Sequence, residues 1–100
     1  MALFHVDPRT RTGEIGYWIA EGAQGRGLVT KGCRAIMRHG FEDLGLRRLE
    51  LKCAATNTRS AAVAGRLGFT LEGRLRRAEP VGDRWDDLLL YGLLADETDV

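Results

Sequence analysis

A chain of 100 residues with 44% hydrophobic content and a formal net charge of +1 is enough for one small folded domain, and its balanced charge argues against disorder. All but two of its 15 basic residues are arginine, and they are scattered, so charge gives no reason to expect a nucleic-acid partner. No apolar run approaches the roughly 20 residues of a membrane span, and no charged-then-apolar leader opens the chain.

Ala2 to Val6 is a short apolar run stopped by Asp7-Pro8, and residues 7–13 carry turn formers and charge. Glu14 to Ala20 is strand-like again, so a hairpin is predicted. A loop over residues 21–27 follows. Val29, Cys33, Ile36, Met37, Gly40 and Leu44 then recur at spacings near three and four. This predicts a helix starting near Leu28 and closing at Gly45. From Arg47 to Ala54, Leu49, Leu51 and Cys53 alternate with Arg48, Glu50 and Lys52, the pattern of a half-buried strand. Asn57 opens a second helix through Leu67, with Gly68 as its stop. Phe69 to Ala78 reads as a strand, Pro80-Val81-Gly82-Asp83 as a turn, and Trp85 to Leu94 as the returning antiparallel strand.

The predicted order is β-β-α-β-α-β-β. A strand–helix–strand unit over residues 14–54 needs a crossover, hence parallel neighbours. The fold class is therefore mixed α/β: helices on a mixed sheet, in a single domain over residues 1–100. Cys33 and Cys53 fall on apolar faces, as reduced thiols of a cytoplasmic protein do. Neither has a Cys or His at ligand spacing, and His5 and His39 stand alone, so no metal site is predicted.

The stretch Gln24-Gly25-Arg26-Gly27-Leu28-Val29 carries the most chemistry. It stands between a strand and a helix start, where free N–H groups and the helix dipole favour an anion. A P-loop would need Lys and Ser or Thr after Gly32, where Cys33 and Arg34 stand. A dinucleotide fingerprint would need glycine at position 30, which is Thr30. A flexible connector is the plain alternative.

The remaining pattern, Gln24-x-x-Gly27-x-Val29, resembles the acetyl-CoA pyrophosphate loop of the GNAT acetyltransferases, although the family usually has Gly or Ala where Val29 stands. The resemblance is closest to the RimJ/RimL-type branch, which acetylates protein N-termini. Ile15-Gly16-Tyr17-Trp18-Ile19-Ala20, Asn57-x-x-Ser60, Arg66-Leu67-Gly68-Phe69, Leu71-Glu72-Gly73 and Asp86-Asp87 carry it, in the family's order. It implies a partial GNAT fold that lacks the usual N-terminal strand-helix-helix-strand region. The chain is then a fragment of a longer enzyme, or a short form that completes its sheet as a homodimer through its first strand.

The resemblance implies acetyl transfer from acetyl-CoA to a primary amine, a protein or peptide N-terminus. Ile19 and Ala20 would offer backbone groups to the pantetheine arm and the acetyl oxygen. Gln24, Gly25, Arg26, Gly27, Leu28 and Val29 would hold the pyrophosphate. Asn57 reads from the sequence as a helix N-cap, and the family adds a contact to the cofactor arm. Ser60 reads as a helix-start residue, and the branch motif makes it the hydrogen-bond donor to the departing sulfur. Glu79 matches, by its spacing from Ser60, the branch's base; the plain alternative is a solvated turn carboxylate, with Pro80 displacing it. Glu72 is a second candidate for the base but is expected to be structural, and Tyr91 is a candidate acid but is expected to be a core residue, while Arg74, Arg76 and Arg77 form a solvated face that could attract an acidic acceptor. Two other classes stay open: a non-catalytic acyl-CoA-binding remnant, and an interaction module that pairs through its open edge.

Overall fold

Alternating and helical apolar patterns build a single sheet with both α-helices on one side. The computed structural model describes residues 2–16 and 26–98. Strands β1 (Ala2–Asp7) and β2 (Thr12–Gly16) form an antiparallel hairpin. Helix α1 (Arg26–Arg38) passes into a π-helical turn over His39–Asp43. Strand β3 (Arg48–Ala54), helix α2 (Thr58–Arg66), strand β4 (Thr70–Val81) and strand β5 (Arg84–Leu94) complete the order, before a 3-10 turn at Ala95–Glu97.

The sheet runs β1-β2-β3-β5-β4. β2 and β3 are parallel, as the crossover requires. β5 lies antiparallel to β3 along its whole length and separates it from β4. Leu49, Leu51 and Cys53 face the helices together with Leu89, Tyr91 and Leu93. Cys33 and Met37 of α1, and Val63 and Ala64 of α2, close over them. Both thiols are buried and free. No helix among the described residues is long and apolar enough to cross a membrane.

Two local expectations are corrected. The described part of α1 starts at Arg26, where the described residues resume. The helical path from Arg26 is not α throughout, because a π turn follows Arg38. Leu44 N–H bonds to His39 C=O at 3.1 Å, and Leu46 N–H reaches back to Gly40 C=O at 3.0 Å. Gly45, at φ 67°, makes the left-handed exit expected of it.

The second correction concerns the last hairpin. The expected turn Pro80–Asp83 is only its second half, because β4 runs on through Glu79, Pro80 and Val81. Gly82 and Asp83 alone connect the strands, with Gly82 at φ 60°. Positive φ at the first of two connecting residues suits a type II′ hairpin turn, where Gly is favoured. Pro80 is tolerated because β4 is an edge strand, where a missing N–H breaks no ladder.

Candidate functional site

The candidate site begins at the parallel pair in the middle of the sheet. Among the described residues, β2 and β3 pair at Thr12↔Arg48, Gly13↔Leu49 and Glu14↔Glu50. β3 continues four residues further to Ala54, paired to β5. Glu14, the last of these β2 partners, has a side chain only 13% exposed. Its Oε1 lies 3.4 Å from Lys52 Nζ and 3.3 Å from His5 Nδ1.

At the far end of β3 the chain turns into α2. Asn57 Oδ1 accepts the backbone N–H of Ser60 at 3.2 Å, the N-cap bond expected from the sequence. That bond uses the main chain of Ser60, so the hydroxyl is left out of the cap. The residue before the cap is tied to β5: Thr56 donates to Asp86 Oδ2 from its hydroxyl at 2.6 Å and from its N–H at 3.0 Å. Ala55 N–H bonds to Asp87 C=O at 2.8 Å. The Thr56 hydroxyl, then its N–H, hold Asp86 below the usual carboxylate range. The start of α2 is thus fixed from two sides.

These pieces meet in a cleft of about 350 Å³ lined by Glu14, Lys52, Cys53, Asn57, Ser60 and Glu79, among others. Ser60 is 9% exposed, the one buried polar side chain among the described residues. Neither its hydroxyl nor the Glu79 carboxylate has a hydrogen-bond or ion-pair partner among the described residues. Three of the expected site residues, Asn57, Ser60 and Glu79, are therefore brought together from α2 and β4. Glu79 is not displaced by Pro80: it sits in the strand opposite Asp86, half-buried. Burial pushes the Cys53 thiol up, so at neutral pH that wall of the cleft is an uncharged S–H.

The expected donor loop is reached only in part. Ile19, Ala20, Gln24 and Gly25 lie outside the described residues. Arg26, Gly27, Leu28 and Val29 are the first described residues of α1. Glu14 and Lys52 were not expected in the site. Alternation placed Lys52 on the polar face of its strand, but nothing local says that Glu14 of β2 lies beside it. Among the described residues, no group of three or more His, Cys, Asp or Glu side chains is placed to hold a metal ion.

Glu72 and Tyr91 have the structural roles expected of them. Arg48 Nη2 and Nη1 donate to Glu72 Oε1 and Oε2 at 2.7 and 3.1 Å, and Arg48 also bonds Glu50. The Arg48 guanidinium lowers the Glu72 carboxyl, and Glu72 in turn raises Arg48. Tyr91 is in the core, and its phenol is raised by burial and then by Cys53. The arginines of β4 do not lie on a flat face. Arg74, Arg76 and Arg77, with Leu75 and Asp87, line a second concavity of about 740 Å³.

Comparison with known proteins adds the family. Residues 1–70 match the acetyltransferase (GNAT) domain model. The chain is 41% identical over 91 residues to the ribosomal-protein-serine acetyltransferase of Escherichia coli (strain K12), covering 91% of this chain and 51% of that protein. It superposes on a crystal structure described as a "Probable acetyltransferase" with TM-score 0.91 and 40% identity, over 96% of this chain and 54% of the other. RimL, a ribosomal alpha-N-protein acetyltransferase solved with coenzyme A, gives TM-score 0.84 and 34% identity, over 93% and 52%. The chain spans about half the length of the curated relatives it matches. With a five-stranded mixed sheet and a matching domain model over most of its length, the chain belongs to the GNAT acetyltransferase family.

Proposed function

We propose that this chain carries the donor side and the reacting groups of an N-acetyltransferase that moves an acetyl group from acetyl-CoA to a primary amine, a protein or peptide N-terminus. The observation that carries the reading is the cleft that brings together Asn57, Ser60 and Glu79, with the buried Ser60 hydroxyl unengaged among the described residues. The first turn of α1 supplies N–H groups for the pyrophosphate, with Gly27 leaving room for close approach. Gln24 and Gly25 would complete that loop, and Ile19 and Ala20 would border the acetyl group.

The chemistry divides among few groups. The neutral amine attacks the thioester carbonyl: a C–N bond forms, the C–S bond breaks, and one proton leaves nitrogen. An N-terminal amine has a pKa near about 8, so a weak base is enough. Glu79 is the carboxylate of this cleft that has no hydrogen-bond or ion-pair partner among the described residues, and it accepts that proton directly or through water. The Ser60 hydroxyl, buried and unengaged, donates a hydrogen bond to the departing sulfur. A hydroxyl is a poor acid by pKa, so its contribution is positional. Asn57 fixes the helix that presents Ser60, and its side chain borders the same cleft.

Acetyl-CoA binding is tested by calorimetry on wild type and Gly27→Val, in which a branched side chain stands at the pyrophosphate position. Strong weakening is expected, and unchanged affinity would sink the donor assignment. Glu79→Gln and Ser60→Ala should keep acetyl-CoA affinity while transfer to a serine-initiated peptide falls about 10²-fold or more. Binding with no transfer by the wild-type chain would favour an acyl-CoA-binding remnant instead. Absence of acetyl-CoA binding with stable self-association would favour an interaction module.

A further inference from the structure

We propose that the arginine-lined concavity on β4 is where an acidic segment of the acceptor docks, immediately beyond the residue being acetylated. The word "acceptor" rests on the transfer reading above; the docking itself does not. Between the pairs Leu75↔Leu88 and Glu79↔Asp86, β4 takes four steps while β5 takes two. The two extra residues bulge out of the ladder, and within the bulge Arg77 is held at φ 51°, a conformation rarely adopted by a bulky residue. The Arg77 N–H left without a strand partner donates to Asp87 Oδ1 at 2.9 Å, and Arg74 Nε donates to Asp87 Oδ2 at 2.6 Å. One carboxylate therefore clamps the bulge open.

The bulge re-aims side chains. Arg74, Arg76 and Arg77 line the concavity with Asp87 as its one acidic member, so three positive charges against one negative leave a net +2. Arg74 is occupied by Asp87, whereas the guanidinium groups of Arg76 and Arg77 have no acceptor among the described residues. Leu75, 52% exposed, adds an apolar contact. A planar guanidinium with free donors is suited to carboxylates. The same strand pair joins this surface to the reaction cleft: Glu79 follows Arg77 by two residues, and Leu88 of the cleft wall follows Asp87. A peptide whose first amine reaches Glu79 would lay its next residues along these arginines. Carboxylates there would both bind and set register.

The test uses the 100-residue chain and two labelled twelve-residue peptides read by fluorescence anisotropy. They share the first residue and differ in carrying Asp and Glu, or Ser and Gln, at the next positions. The acidic peptide is expected to bind at least tenfold tighter at low salt. The preference should shrink as salt is raised and collapse in the R76Q/R77Q variant, whose acetyl-CoA affinity should match wild type. Equal binding of the two peptides, a preference that salt does not weaken, or a preference kept by a folded R76Q/R77Q variant would overturn the proposal. Tighter competition by a single-stranded RNA oligonucleotide than by the acidic peptide would overturn it too. Peptide binding is read without turnover. Loss of acetyl-CoA binding with the peptide preference intact would therefore sink the donor assignment and leave this one standing.

Discussion

Asp86 lies one step behind the start of α2 and fixes where the proposed reacting group Ser60 stands. Its Oδ2 takes both donors of Thr56, the residue just before the Asn57 cap, and its Oδ1 accepts the N–H of Asp87. The folded protein therefore favours the charged carboxylate, and the Asp86 pKa is depressed, first by the Thr56 hydroxyl and then by its N–H. A depressed carboxylate stabilises the fold at all pH above its unfolded value of about 3.9, and that contribution disappears as pH falls through the lower folded value. Asp86→Asn should accordingly lower the urea midpoint at neutral pH, and the gap from wild type should narrow below about pH 4. A gap that stays constant down to the acid limit would show that charge at this position contributes nothing. The same variant should slow transfer more than it weakens acetyl-CoA binding, because it loosens the turn that presents Ser60. Asn57 and Ser60 could be read from the sequence because capping is a local rule: an Asn three residues before a small polar residue at a helix start has a physical use whatever the fold. Glu14 and Lys52 could not. Their meeting at 3.4 Å depends on a crossover of more than thirty residues that sets β2 beside β3.

The exit of α2 shows how an element boundary is encoded. Phe69 N–H bonds to Ala64 C=O at 3.0 Å and Gly68 N–H to Gly65 C=O at 3.1 Å, a six-to-one and five-to-two pair around Gly68 at φ 87°. Nothing lies within 4 Å of where a Cβ on Gly68 would stand, so the glycine is required by conformation and not by space. Gly68→Ala should therefore cost about 1 kcal/mol, the ordinary penalty of a left-handed residue with a Cβ, and Gly68→Asn less. Thermal or urea unfolding measures it, and a neutral Ala variant would mean that the turn relaxes to another geometry. Gly92 is the opposite case. A Cβ there would come within 2.5 Å of Glu72 Oε2 and 2.6 Å of Arg48 Nη1, the far ends of two flexible side chains, so Gly92→Ala should displace that ion pair at small cost to stability. Strands with clean alternation, β3 above all, and both glycine helix stops were readable from the chain. The length of β4 was not, since Pro80 signals a turn unless the strand is known to be an edge. The insertion of β5 between β3 and β4 was equally out of reach, because which strands neighbour each other is decided by pairing across distant segments.

The assembled sheet has two edges, and they are treated differently. β4 carries Pro80, two register shifts and the exposed Arg76 and Arg77, all features that discourage another strand from pairing. β1 has one register shift, between Phe4 and Asp7, where His5 stands at φ 52°, and it contains neither proline nor lysine. Val6 on this strand is 42% exposed. The sheet face turned away from the helices is less inviting than this edge, because Arg48, Glu50 and Glu72, with Glu14 and Lys52, stud it with ion pairs. Pairing between copies of the chain should therefore run through β1. Sedimentation velocity over a range of concentration should show the 100-residue chain associating reversibly. Val6→Lys, which places a charge on that edge, should shift the distribution toward monomer while the far-ultraviolet circular dichroism stays the same. Arg76→Gln on the other edge should leave the distribution where it was. A concentration-independent monomer, or association indifferent to Val6→Lys, would mean that β1 is already blunted by its bulge and that the exposed backbone is satisfied by water alone.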